Sequence, residues 1–125
     1  MTEKTESSLY QRLGGYDVIA GFVDETYQLL RGDPRFKRFT TRSLDSQKRA
    51  RQLLVDQICA LSGGPCLYIG RDMKTSHAGL GITEAEWEVS LEYTRQALTK
   101  HKVKETEAEE VIAMFQQFKA DIVES

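Results

Sequence analysis

Only two histidines occur in the 125 residues, His77 and His101. Imidazole is the commonest nitrogen ligand for a metal ion, so these residues come first. His77 stands in Ser76-His77-Ala78-Gly79, where small neighbours would let a flat ligand approach the ring. Met73 lies one helical turn earlier, and its soft thioether suits the face of a large aromatic group. A lone histidine is more often a partly buried surface residue than a ligand, so spacing alone leaves both readings of His77 open. His101 sits in Lys100-His101-Lys102, where two positive neighbours disfavour a bound cation, and it is expected as a solvent-exposed turn residue.

Other chemistries find less support. The chain has no Cys-x-x-Cys pair, no glycine-rich loop ending in Gly-Lys-Ser/Thr and no Gly-x-Ser-x-Gly elbow. A protein-only zinc site would have to combine Cys59, Cys66 and His77, which lack a recognised zinc spacing. The carboxylates Glu84, Glu86 and Glu88, and Glu105, Glu107, Glu109 and Glu110, fall at helix starts, where negative charge complements the helix dipole. The formal charge of −2, from 17 Lys+Arg against 19 Asp+Glu, argues against nucleic acid or an anionic membrane as a partner. No apolar run is long enough to span a bilayer, and Met1 to Ser8 is too polar for a secretory leader. A cytoplasmic setting is therefore expected, with Cys59 and Cys66 as free thiols and a single bridge as the alternative.

The elements that must position His77 read as helices separated by glycines. Residues 1–125 make one domain, with 1–8 expected as a flexible N-terminal segment. Leu9 to Leu13 forms a short helix ended by Gly14-Gly15. A second opens near Asp17 and buries Val18, Ile19, Phe22, Val23, Thr26, Leu29 and Leu30, with Tyr27 on the same broad face. Gly32-Asp33-Pro34 stops it. Phe36 and Phe39 share a short turn. A third helix, capped by Ser43 or Asp45, runs to Ser62 with Leu53, Leu54, Ile58 and Leu61 inward, and Gly63-Gly64-Pro65 ends it. Met73, His77 and Leu80 fall at i, i+4, i+7 in a short helix before Gly81. Thr83 and Glu86 form a capping box for a helix carrying Trp87, Leu91, Thr94 and Leu98. A last helix, from about Thr106, shows Val111, Phe115, Phe118 and Ile122 on one stripe facing a core. No segment alternates long enough to predict a strand, so the fold class is all-α.

The ordered set resembles one family. Leu9-Tyr10-Gln11-Arg12-Leu13-Gly14-Gly15 is similar to the opening of the truncated, two-over-two globins, most like their first group. Gly63-Gly64-Pro65 is similar to their second glycine motif. Tyr68-x-Gly70-Arg71-x-Met73-Lys74-x-x-His77-x-Gly79-x-Gly81-Ile82-Thr83 resembles their proximal region, and Tyr27 falls where they place a distal tyrosine. The likeness covers nearly the whole chain. It implies a shortened globin fold around haem b, with His77 as the axial iron ligand and its other ring nitrogen donating to a backbone carbonyl. Met73 would pack on the macrocycle beside Tyr68, Lys74 or Arg71 would pair with the propionates, and Phe39 would wedge the haem in place. Tyr27 would give a bound diatomic ligand a hydrogen bond worth about 1–3 kcal/mol.

The third helix departs from the family pattern. Counting back from Gly63 places Leu54 and Ala50 at the pocket-facing positions, whereas Gln57 and Gln52 would enter only after a register shift. The loop from Thr40 to Asp45 is two or three residues longer than the family pattern, and Thr40 replaces a second phenylalanine usual there beside Phe39. The resemblance implies reversible binding of dioxygen, nitric oxide or carbon monoxide by a monomer or weak dimer. The alternatives are nitric oxide oxidation or peroxide chemistry at the same haem, served by a separate electron-donor reductase, and a haem-free helical interaction domain.

Overall fold

The chain reversals marked by glycine and proline recur in the computed structural model, which describes residues 8–40 and 43–124. Ser8 caps α1 (Leu9–Leu13) in a reciprocal box with Gln11, so it belongs to the folded domain and not to the expected tail, whose other residues lie outside the described ones. α2 (Tyr16–Arg31) ends at Gly32. Asp33 then caps a 3-10 turn (Pro34–Phe36) that runs into α3 (Lys37–Thr40). Of the two caps predicted for the third helix, Ser43 is used, and α4 spans Leu44–Leu61. The longer loop predicted around Thr40 to Asp45 lies partly outside the described residues. α5 (Met73–His77) is short, and α6 (Glu84–Lys100) opens on the Thr83–Glu86 capping box. The single last helix expected from Thr106 is two, α7 (Glu105–Gln116) and α8 (Lys119–Ile122). No strand occurs among the described residues.

α2 packs on both α4 and α6, and α6 packs on α7, which gives the two-over-two arrangement; α1 bridges α2 and α7, while α5 rests on α8. Ile19, Phe22 and Val23 of α2 meet Val55, Ile58 and Cys59 of α4, with Leu91 and Leu98 of α6 and Val111 of α7 completing the core. Leu61 was expected inward but is 47% exposed; Val55 and Cys59 take the buried positions instead. The cause is that α4 has two apolar faces, one on the core and one, with Leu53 and Leu54, on a cleft, so a single stripe does not describe it.

Two further expectations are corrected. Cys59 and Cys66 form a disulfide and are not free thiols. The Gly63-Gly64-Pro65 reversal returns the chain so that their Cα atoms lie 5.7 Å apart, inside the range a disulfide spans. Oxidised pairs persist in oxidising settings, so this bond lends no weight to the cytoplasmic expectation. His101 is half-buried rather than exposed: it ends α6 and its ring lies 2.8 Å from where a Cβ on Gly21 would stand, filling the notch that glycine leaves in α2. The acidic start of α7 is structural as read, with Glu107 and Glu110 holding Arg12 of α1 at 2.9 and 2.5 Å.

Candidate functional site

Between the α2–α4 wall and the α5–α8 wall lies a cleft of about 610 Å³. Its lining is mainly apolar and aromatic, as small-molecule sites are. His77 reaches it from the last position of α5, half-buried. Its Nδ1 lies 2.9 Å from the Met73 carbonyl oxygen and 3.0 Å from Ser76 Oγ. A carbonyl oxygen can only accept, so Nδ1 is the donor in this contact and Nε2 is the ring nitrogen left to face a ligand. An imidazole fixed in this tautomer by a backbone acceptor is the arrangement that metal-ligating histidines adopt. The i, i+4 spacing of Met73 and His77 produces it directly.

The cleft also gathers Tyr27 from α2, Phe39 from α3, Leu54 from α4, and Met73 and Tyr68, all half-buried. Tyr68 donates its hydroxyl to the Arg71 carbonyl at 2.5 Å, and burial pushes its pKa up. Arg71 and Lys74 are exposed and stand outside the cleft lining. On α4, Ala50 and Leu54 face the cleft as counted, and so do Gln47 and Gln57. Gln57 therefore enters without a register shift. Gln52 does not enter; its amide donates to Tyr16 Oη at 2.7 Å and Asp56 Oδ1 at 3.1 Å.

Sequence reasoning missed three cleft-lining arginines, Arg31, Arg38 and Arg49, which carry no periodic signal. Arg38 grips both Glu86 carboxylate oxygens at 2.5 and 2.8 Å, donates to the Gly81 carbonyl at 3.2 Å, and lies over the Phe39 ring at 4.0 Å. Beside Arg38, the Glu86 carboxyl is held down at about 2. Phe115, Phe118 and Ile122, read as a core-facing stripe, line the cleft. The single tryptophan, Trp87, lines it too, with its indole N–H donating to Gln116 Oε1 at 3.2 Å.

The sequence model of the family described as bacterial-like globin matches residues 8–124. The chain belongs to this globin family. Its relatives include a group 1 truncated haemoglobin of Mycolicibacterium paratuberculosis, 28% identical over 85% of this chain and 76% of that one. Another is the group 1 truncated haemoglobin of Tetrahymena pyriformis, 23% identical over 93% of this globin and 94% of the relative. The crystal structure of the Tetrahymena protein in its Fe(III) form superposes on 95% of this globin and all of that chain, with a TM-score of 0.86 at 21% identity. The fold is thus that of the truncated haemoglobins. Membership also makes this a haem-binding globin of the kind that takes up gaseous ligands. The residues present fit that cofactor: apolar walls suit a flat macrocycle, and His77 brings an imidazole of the residue type that ligates iron to the cleft lining. Among the described residues no cluster of three or more His, Cys, Asp or Glu offers a competing metal site, and no helix is long and apolar enough to cross a membrane.

Proposed function

We propose that this globin holds haem b through His77 Nε2 and reversibly binds a small diatomic ligand, chiefly dioxygen, beside Tyr27. The observation that supports the reading is the Nδ1 contact of His77 with the Met73 carbonyl at 2.9 Å, which leaves Nε2 available to ligate at an apolar cleft. When bound, haem supplies an iron centre that coordinates a diatomic gas. Met73, Phe39, Leu54 and Tyr68 contribute contact to the macrocycle and keep water from it. Tyr27 offers a hydroxyl donor from the α2 wall. The exposed Arg71 and Lys74 are proposed to reach the propionates, with further positive charge from Arg31 and Arg49, which are exposed and line the cleft. A haem-free interaction domain leaves the cleft and the fixed histidine tautomer without a purpose.

The test is an absorption spectrum of the haem-reconstituted protein in ferric, ferrous and carbon-monoxide forms. A sharp Soret band that shifts with carbon monoxide, at one haem per chain, is the expected result. His77→Ala should abolish tight haem uptake; full retention of haem by that variant would discredit the ligand assignment.

A further inference from the structure

α5 is five residues long, has no fully buried residue and rests on α8. So short a helix gains little from its own backbone, so the residues around it must fix His77. Beyond His77 the chain runs through Ala78 to Ile82, where Gly79 and Gly81 have φ of +81° and +66°. A Cβ on either would meet nothing within 4 Å, so crowding does not exclude a side chain there; the left-handed backbone does. That backbone turns two amides onto one carboxylate. Gly79 N donates to Glu124 Oε2 at 3.0 Å, and Gly81 N donates to Oε1 at 2.7 Å. Two amides turned together in this way make a concave seat for an anion, and here the chain's own Glu124 fills it. The Glu124 backbone amide also donates to the Ile82 carbonyl at 2.8 Å, and Leu80 N closes on the His77 carbonyl at 3.2 Å. The Gly79 and Gly81 amides hold the Glu124 carboxyl below the usual carboxylate range. Ile122, two residues earlier, is buried and lines the cleft, so the clamp is rooted in the core.

We infer that Glu124 is a positioning residue for His77: by clamping Gly79, Gly81 and Ile82 it fixes where α5 ends and the angle at which the imidazole is presented. The inference rests on His77 being the haem ligand. Glu124 is exposed and outside the cleft lining, so it acts only through the turn it holds.

The test uses the full chain loaded with haem, as wild type, Glu124→Ala and Glu124→Gln. Three quantities are measured: the iron–histidine stretching band of the ferrous, ligand-free protein by resonance Raman, the rate of haem transfer to an excess of scavenging apoprotein, and the thermal midpoint of the haem-free chain. Glu124→Ala removes both acceptors and so both exposed glycine-amide bonds, and its band should shift or broaden and its haem loss should quicken about fivefold. Glu124→Gln keeps one acceptor and should fall between. A moved band supports the inference whatever the midpoint does. An unmoved band overturns it, whether or not the midpoint falls, because a merely structural role would lower the midpoint alone. Wild type that takes up no haem overturns the reading of His77 and this inference with it; wild type that loads while the variants match it overturns the inference alone.

Discussion

Tyr27 puts a phenol on the α2 wall of a mostly apolar cleft. On the proposed reading, its hydroxyl would strengthen the hold on a ligand that gains partial negative charge, because little water competes there. Tyr27→Phe should therefore speed dioxygen release about tenfold, the equivalent of about 1.4 kcal/mol, in a stopped-flow displacement measurement. An unchanged rate would mean the hydroxyl points elsewhere. Glu86 carries two duties, as the capping-box partner of Thr83 at the start of α6 and as the carboxylate that Arg38 grips. Its pKa is depressed from 4.5 to about 2, so the pair's stabilisation is complete above about pH 4.5 and is lost as pH falls toward 2. Glu86→Gln keeps a capping side chain but removes the charge. It should cost about 1 kcal/mol at neutral pH, a discounted figure because Arg38 is 46% exposed, and it should flatten the acid limb of the stability curve. Thermal melts from pH 2 to 7 check both. The capping duty of Glu86 was legible from its spacing to Thr83. Its pairing with Arg38 was not, because a contact 48 residues away leaves no local pattern.

Helix ends were the most legible elements. Gly14-Gly15, Gly32-Asp33-Pro34 and Gly63-Gly64-Pro65 each close a helix where expected, because left-handed backbone and missing amides act locally. Rotation of a helix about its axis was less legible. α4 divides its apolar residues between core and cleft, so Leu61 was misplaced, while Ala50 and Leu54, found by counting from a fixed glycine, line the cleft. The Cys59–Cys66 bond lay beyond composition because its formation depends on the turn between the two residues. The bond closes a loop of sequence separation 7, and its reduction should lower stability by about 2 kcal/mol through restored freedom of the unfolded chain. Melting curves with and without a dithiol reductant measure this; coincident curves would mean the bond contributes nothing.

In the whole molecule, 125 residues enclose a cleft of about 610 Å³, so much apolar lining has no protein partner. A cofactor seated there completes the core, and its binding free energy is added to folding by mass action. The overall layout was legible because the glycine pairs and the residues around His77 resemble the truncated-globin pattern. The cleft's charged rim was not, since Arg31, Arg38 and Arg49 converge from three separate elements. The position of Trp87 gives the molecule an optical property. The chain has one indole, and it forms part of the cleft wall. Its ultraviolet emission overlaps the absorption of a porphyrin, and the two would sit within a few bond lengths of one another. Energy transfer would then darken nearly every loaded molecule while each empty one stays bright. Titrating haem into the protein should extinguish emission linearly and break sharply at one equivalent, so the remaining glow counts empty chains without any added dye.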